Sequence, residues 1–430
     1  MPNGPTPTVS QRTLGDWLDH LESLHPKTIE LGLERVRLAK DRLGLVPTFP
    51  VIIVGGTNGK GSTCAMLEAM LSAAGFRVGL YTSPHLLAYN ERVRIDRVPV
   101  DDAALCASFE AVEAARGDTA LTYFEFGTLA AMWLFIERRI DVAVLEVGLG
   151  GRLDAVNVFD ADVAVVTSVD IDHVDYLGPT RETIGFEKAG IYRPGRVAVC
   201  ADADPPQSLL RHAREIGAEL RLIGADFGPE AQSGQWRFRT GNKTRDALPY
   251  PALLGDYQLA NASAALAALE AVADRLPVSQ ADVRRGLHEV TLPGRFQVLP
   301  GRPTVVLDVA HNPHAARALA ANLARQPCAG RTLAVLGMLG DKDIAGVVRE
   351  VSGRVDQWFL GGLPPPRGAT AQALQSHLRE AGAAGAIALC DDVVGAYRAA
   401  CLAGAQNDRI LVFGSFYTVA AVLAQIKPVA

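Results

Sequence analysis

The chain lacks most of the features that would place it outside a cell or in a membrane. Its cysteines are few and scattered: Cys64, Cys106, Cys200, Cys328, Cys390 and Cys401, with no Cys-x-x-Cys and no histidine at metal-ligand spacing. A reducing compartment fits that pattern better than a disulfide framework. The opening MPNGPTPTVSQR has no apolar core and a single basic residue, so it reads as neither a signal nor a transit peptide. No uncharged apolar run reaches the roughly 18 residues of a membrane span. Positive charge is not in excess either. The formal net charge of -5 argues against general affinity for nucleic acid or anionic membrane, so an anionic substrate would need local positive charge. Internal repeats and low-complexity tracts are missing too. The expectation is a soluble cytoplasmic protein with no nucleic-acid or membrane partner.

What is present is core-forming material. Hydrophobic residues make up 49% and charged residues 21%, which excludes disorder, and 430 residues are too many for one typical domain. Apolar runs such as VIIVGG at 51–56, RVGLYTS at 77–83, DVAVLEVG at 141–148, DVAVVTSV at 162–169 and RVAVC at 196–200 predict strands buried on both faces. Helical periods between them, as over 61–74 and 124–138, complete a βαβα rhythm. The expected fold is α/β: a P-loop-type, mostly parallel sheet followed by a smaller Rossmann-like α/β domain. The stretch 203–250 is turn-rich and predicts a small antiparallel excursion. Helices follow over about 258–275 and up to the breaker-rich LPGRFQVLPGRP at 292–303, which suits an interdomain hinge. The rhythm then restarts with TVVLDVAHN, TLAVLGML, QWFLGG and ILVFGS. Domains of 1–296 and 297–430 are expected.

The strongest signal is VIIVGGTNGKGSTCAMLEAML, a strand, a glycine-rich turn and a helix. Glycines let the backbone turn tightly and aim several N–H groups at one anion, and the helix N-terminus adds partial positive charge. Lys60 is placed for the β/γ-phosphates, and Ser62 or Thr63 for a magnesium ion. The spacing departs from the standard Walker pattern, with one extra glycine between Lys60 and the hydroxyl. The alternative is a glycine-rich turn with a solvated lysine. A GTPase would want Asn-Lys-x-Asp, and the nearest stretch, Asn242-Lys243-Thr244-Arg245, does not match.

Other polar residues fall at the C-terminal ends of predicted strands, where open parallel sheets bind ligands. They are Ser83 in YTSPHL, Glu146 with Arg152 and Asp154 in LEVGLGGRLDAVN, and Asp170, Asp172, His173 and Asp175 in TSVDIDHVDYLG. A carboxylate, a hydroxyl and an imidazole beside phosphate oxygens suit hard divalent cations, with His173 at a second, less usual position. Taken alone, His173 reads more readily as a hydrogen-bonded loop residue than as a metal ligand. Glu146 interrupts an apolar strand and would be costly to bury without a cation nearby.

The segments GTNGKGS, TSPHL, TYFEFGTLAA, LEVGLGGRLDA, TSVDIDHVDYLG, FEKAGIYRPG, LPGRFQ, DVAHNPHAA and GMLGDKD together resemble the folylpolyglutamate synthase/dihydrofolate synthase family of the Mur ligase superfamily, from about residue 12 to 418. WLDHLESLHPKTIELGLERV is similar to the bacterial bifunctional form. The resemblance implies that Thr57, Asn58, Gly59, Lys60, Gly61 and Ser62 cradle ATP phosphates, with Asn261, Arg295 and Asp308 completing the nucleotide site between the domains. It implies Ser83, Glu146 and His173 as ligands of magnesium, with two sites, and Lys188 as a carbamylated lysine. Sequence alone would read Lys188 as an ordinary surface residue. Thr28, Ile29 and Glu30, Thr122, Tyr123, Phe124 and Glu125, and Leu153, Asp154 and Ala155 match pterin contacts. Phe124 and Phe126 read equally as core aromatics. His311, Asn312, Ser415 and Tyr417 match the glutamate side.

The implied reaction joins L-glutamate to dihydropteroate, or to the γ-carboxylate of reduced folates, through an acyl phosphate made with ATP. The expected catalytic residues are Lys60, Lys188 and His311, the last as the base, in a monomer. Alternatives are a monofunctional folylpolyglutamate synthase, a peptidoglycan Mur ligase and a non-catalytic ATP switch. The peptidoglycan enzymes need a substantial domain before the phosphate loop, and roughly 50 residues are too few for one. A switch would not need DVAHNPH or the Glu146/His173 pair.

Overall fold

The structure, a computed structural model, describes residues 12–25, 27 and 29–426. The larger sheet contains β1 (Val51–Gly55), β2 (Val78–Tyr81), β3 (Val93–Ile95), β4 (Val98–Pro99), β5 (Val142–Glu146), β6 (Val163–Val166), β7 (Val197–Cys200) and β8 (Glu219–Leu222). Their order is β4-β3-β2-β5-β1-β6-β7-β8. Pairings from β2 to β8 are parallel, and β3 and β4 extend one edge antiparallel. The central strand β1 is buried throughout, as its unbroken apolar run predicts. Successive side chains alternate between faces. Ile53 therefore joins a core with Trp17, Phe126 and Leu129, while Ile52 and Val54 join another with Met66, Leu67 and Leu266. Helices Leu14–Ser23 and Tyr123–Glu137 cover the first face, and Lys60–Ala73 and Tyr257–Ala271 the second.

The antiparallel excursion is narrower than the expected 203–250. A small sheet of β9 (Phe227–Gln232), β10 (Gln235–Thr240) and β11 (Lys243–Leu248) has the order β11-β10-β9. The segment before it forms a helix, Gln207–Glu215, and then β8, which continues the parallel sheet. β8 has no fully buried residue, so it lacks the apolar run that marks the inner strands. The stretch weighed as a guanine motif lies at the β10–β11 turn.

A third sheet contains β12 (Gln297–Leu299), β13 (Thr304–Asp308), β14 (Thr332–Leu336), β15 (Gln357–Gly361), β16 (Ala386–Cys390) and β17 (Arg409–Phe413). Its order is β12-β13-β17-β14-β15-β16, parallel apart from β12. The edge strand β16 had no counterpart in the sequence reading, because none of its residues is fully buried. The loops that follow β1, β2, β5 and β6 meet those that follow β13, β14 and β17 across one cleft of about 810 Å³.

Candidate active site

The phosphate loop leaves β1 at Gly55 and enters the helix at Lys60. Gly59 caps that helix at φ 89°, a left-handed conformation that glycine adopts without penalty. A β-carbon there would collide with the side chain of Asn261. The loop is pinned from β6: Thr57 N–H donates to Ser168 O at 2.7 Å, and Asn58 N–H to Ser168 Oγ at 3.1 Å. Lys60 Nζ donates to the loop carbonyls of Gly56 and Thr57 at 3.1 and 3.2 Å. Ser62 is buried on the cleft wall, where its Oγ accepts from Gln258 Nε2 at 3.4 Å. Thr63 does not line the cleft.

Across from the loop stand Arg295 and Asp308. Asp308 ends β13 and accepts N–H bonds from Ala310 and Phe296, both at 2.8 Å. Burial pushes its carboxyl up, against those bonds and the Arg295 charge. The Arg295 guanidinium lies 5.0 Å from the Phe416 ring centroid, and burial pushes it down. Asn261, beside Gly59, donates to Gln258 Oε1 at 2.9 Å. Loop, amide, guanidinium and carboxylate all line the one cleft.

Glu146 ends β5 with 5% of its surface exposed. Its Oε2 accepts only Ser83 N–H, at 3.1 Å, and Oε1 has no hydrogen-bond partner among the described residues. Burial pushes its carboxyl up, while the charges of Lys60, Arg295 and Arg92 oppose that. An under-satisfied buried carboxylate with a serine beside it and a phosphate loop opposite fits a hard cation that takes its other ligands from phosphate and water. Among the described residues no three His, Cys, Asp or Glu side chains form a metal cluster. His173 lines the same cleft as Glu146. It adopts φ 52°, burial pushes its ring down to about 4, and Nε2 is 3.4 Å from Lys342 Nζ. Lys188 is not a surface lysine. It is 3% exposed on the helix Arg181–Ala189 and lines the same cleft. Burial, and then the Lys60 charge, push its amine down to about 7.

The pterin-matched segments come together beside the cleft. Gly32 N–H donates to Leu153 O at 3.3 Å, and Arg35 bridges Glu30 O (3.0 Å) and Glu125 Oε1 (3.1 Å). Ile29 is half-buried on the same loop, and Thr28 lies outside the described residues. Thr122 and Glu125 form a capping box at a helix start, which accounts for both structurally. Asp154 accepts N–H bonds from Leu149 and Val156 at 2.8 and 3.0 Å, and burial pushes it up to about 7. Ala155 is buried behind it. The two phenylalanines divide: Phe126 is core, whereas Phe124 is half-buried, 5.7 Å from the Tyr81 ring and packed on Gly148 of the cleft wall. Tyr123 is half-buried beside it.

On the glutamate-matched side, His311 Nδ1 meets Val309 O at 2.9 Å and its Nε2 is 3.7 Å from Asp172. Asn312 caps the helix Pro313–Arg325 and exchanges hydrogen bonds with Asn58 at 3.2 Å. Its Nδ2 also donates to Asp172 at 3.0 Å. Ser415 is buried, with Oγ accepting from Thr418 N–H at 3.0 Å, and Tyr417 is 59% exposed at the mouth. Lys342, which sequence reading did not single out, donates to Asp172 at 2.6 Å. Its signal was the GDKD turn after β14, which only a folded cleft places opposite Asp172. Burial opposes ionisation of Asp172, but His311, His173 and Lys342 together hold its carboxyl well below the usual range.

A glycine-rich loop at the strand ends of one sheet, facing the strand-end loops of a second α/β sheet across one cleft, is the arrangement of a Mur-type ligase. Residues 54–269 match the Mur ligase middle domain, and 294–416 match the Mur ligase glutamate ligase domain. The dihydrofolate synthase/folylpolyglutamate synthase of Escherichia coli K12 is 48% identical over 414 residues, 96% of this chain and 95% of that one. The structure of E. coli FolC in complex with DHPP and ADP matches with a TM-score of 0.92, at 48% identity, covering 98% of this chain and 99% of that one. A bifunctional folylpolyglutamate synthase/dihydrofolate synthase with Mn, AMPPNP and L-glutamate bound matches at 0.89 and 46% identity, covering 99% and 100%. The chain belongs to the dihydrofolate synthase/folylpolyglutamate synthase family and is an ATP-dependent glutamate ligase.

Proposed function

We propose that the residues of this cleft carry out glutamate ligation through an acyl phosphate, with dihydropteroate and reduced folates as alternative acceptors. The observation that carries the assignment is the single cleft that joins the phosphate loop and Glu146 to Arg295, Asp308 and His311. The division of labour falls near residue 297, with nucleotide and pterin on the first part and glutamate on the second. Thr57 to Ser62 hold the ATP phosphates, and Asn261, Arg295 and Asp308 close over the nucleotide. Relatives with ADP, AMPPNP, DHPP and L-glutamate bound support this reading.

Magnesium would be held by Glu146 and Ser83, with a second ion at His173 and a carbamate on Lys188; a bound relative carries Mn. When bound, the ions supply neutralisation of phosphate charge. A neutral, buried Lys188 amine is the form that adds to CO2, so an amine pushed down to about 7 favours carbamylation at neutral pH.

The acceptor carboxylate attacks the γ-phosphate, and Lys60, Arg295 and the loop N–H groups stabilise the charge that develops. The glutamate amine then attacks the acyl phosphate, and phosphate leaves. His311 is the candidate to take the amine proton, its ring held by the Nδ1 contact with Val309 O at 2.9 Å. Closure of the two parts excludes water, which would otherwise hydrolyse the acyl phosphate. In this reading the protein acts as a monomer in the cytoplasm. No described helix is long and apolar enough to cross a membrane.

The test is a ligation assay with dihydropteroate and tetrahydrofolate as acceptors and mass detection of product. One glutamate should be added to each, and phosphate release should require both glutamate and acceptor. Phosphate release without either would favour a plain ATPase.

A further inference from the structure

Gln258, near the start of the helix Tyr257–Ala271, is 0% exposed and does not line the cleft. A carboxamide is costly to bury without hydrogen bonds, so its partners show what it is for. Both partners are cleft-wall residues. Gln258 Oε1 accepts from Asn261 Nδ2 at 2.9 Å, and Gln258 Nε2 donates to Ser62 Oγ at 3.4 Å. The second bond crosses from one helix to another, Lys60–Ala73, whose first turn follows the glycine-rich loop. Asn261 is itself fitted to that loop, since a β-carbon at Gly59 would collide with its Oδ1.

The direction of these bonds decides what Ser62 can do. An amide has a donor end and an acceptor end. Asn261 takes the acceptor end of Gln258, so the donor end faces Ser62. A serine hydroxyl has one hydrogen and two lone pairs. Gln258 occupies one lone pair, and Ser62 Oγ has no other hydrogen-bond partner among the described residues. Its hydrogen is therefore left to donate into the cleft, beside the free N–H groups of a helix start, where a phosphate oxygen is a ready acceptor. We infer that Gln258 is a positioning residue that holds the Ser62 hydroxyl as a hydrogen-bond donor to a nucleotide phosphate, without touching the nucleotide itself; the inference rests on the ligase reading above.

A double-mutant cycle isolates the coupling between the two side chains. Gln258→Met keeps the length of the side chain and loses both hydrogen bonds, and Ser62→Ala loses the hydroxyl. ADP is titrated calorimetrically into the full chain, with a chelator present so that no divalent ion contributes. Each single substitution should weaken ADP about tenfold, the worth of one charge-assisted hydrogen bond. In the Ser62→Ala background, Gln258→Met should cost less than about twofold more, because the group it positions is gone. In turnover, Gln258→Met should raise KM for ATP and leave KM for glutamate within about twofold of wild type, a split that a general loss of packing would not give. Gln258→Glu can still accept from Asn261 but cannot donate to Ser62, so it should bind ADP no better than Gln258→Met. Equal losses from Gln258→Met in both backgrounds, or unchanged ADP affinity in either single variant, overturn the inference. So does wild-type affinity in Gln258→Glu, since the hydroxyl would then be donating to the amide oxygen. Should Gln258→Met not fold, Ser62→Ala and Gln258→Glu carry the same test. A wild-type chain that does not bind ADP would instead strike the ligase reading itself.

Discussion

Lys60 and Lys188 carry the same formal charge and sit in the same cleft, yet their surroundings give them different chemistry. Lys60 is held by carbonyls of its own loop on the wall of the cleft, where the proposed role is to meet phosphate. Lys60→Ala is therefore expected to lower the ligation rate by about a hundredfold or more, the usual cost of losing one transition-state charge contact. Its melting temperature should stay within about 2 °C of wild type, because the two carbonyls it leaves belong to residues of the cleft wall, where water can replace the amine. Near-normal turnover would remove the phosphate-loop assignment. Lys188 is buried, and its amine is pushed down to about 7. As pH falls through that value the free amine becomes ammonium, which cannot add CO2. The carbamate, and ligation with it, should therefore decline on the acid side and persist above neutrality. Carbon-13 bicarbonate should give a carbamate resonance at pH 8 that Lys188→Arg lacks. A pH-independent rate with no resonance would exclude carbamylation.

At the scale of elements, the buried strand followed by a glycine loop and a helix was legible because β1 is apolar at consecutive positions and the loop is written in glycines. Gly59→Ala tests the loop's geometry. A non-glycine residue in the left-handed region costs about 1–2 kcal/mol, and the added carbon meets Asn261. ADP affinity should fall at least tenfold by titration; an unchanged value would mean that the loop rearranges freely. β8 and β16 were missed for a physical reason. Both are edge strands with no fully buried residue, so neither shows the continuous apolar run of an inner parallel strand.

At the scale of the whole molecule, the two halves meet at Asp172. Lys342 and Asn312 reach it from the second part, while Asn312 also pairs with Asn58 of the phosphate loop. The Asp172–Lys342 pair is only 10% and 7% exposed. Removing one partner of such a pair costs about 3–5 kcal/mol, less here because Asn312 still donates to Asp172. Lys342→Met should therefore loosen closure. Small-angle scattering should show a larger radius of gyration than wild type without nucleotide, and KM for glutamate should rise. Identical scattering profiles and KM would mean that the contact does not hold the two halves together.

The sequence by itself determined the two α/β parts, the strand–glycine loop–helix and which polar residues fall at strand ends, because these follow from local periodicity, glycine placement and residue type. Only the tertiary structure decided which of those residues face one another. Asp172 and Lys342 are far apart in sequence and carry no local signature of contact. Lys188 reads as an ordinary lysine until packing removes its water. Such properties belong to the surroundings of a side chain, and those exist only once the chain has closed around it.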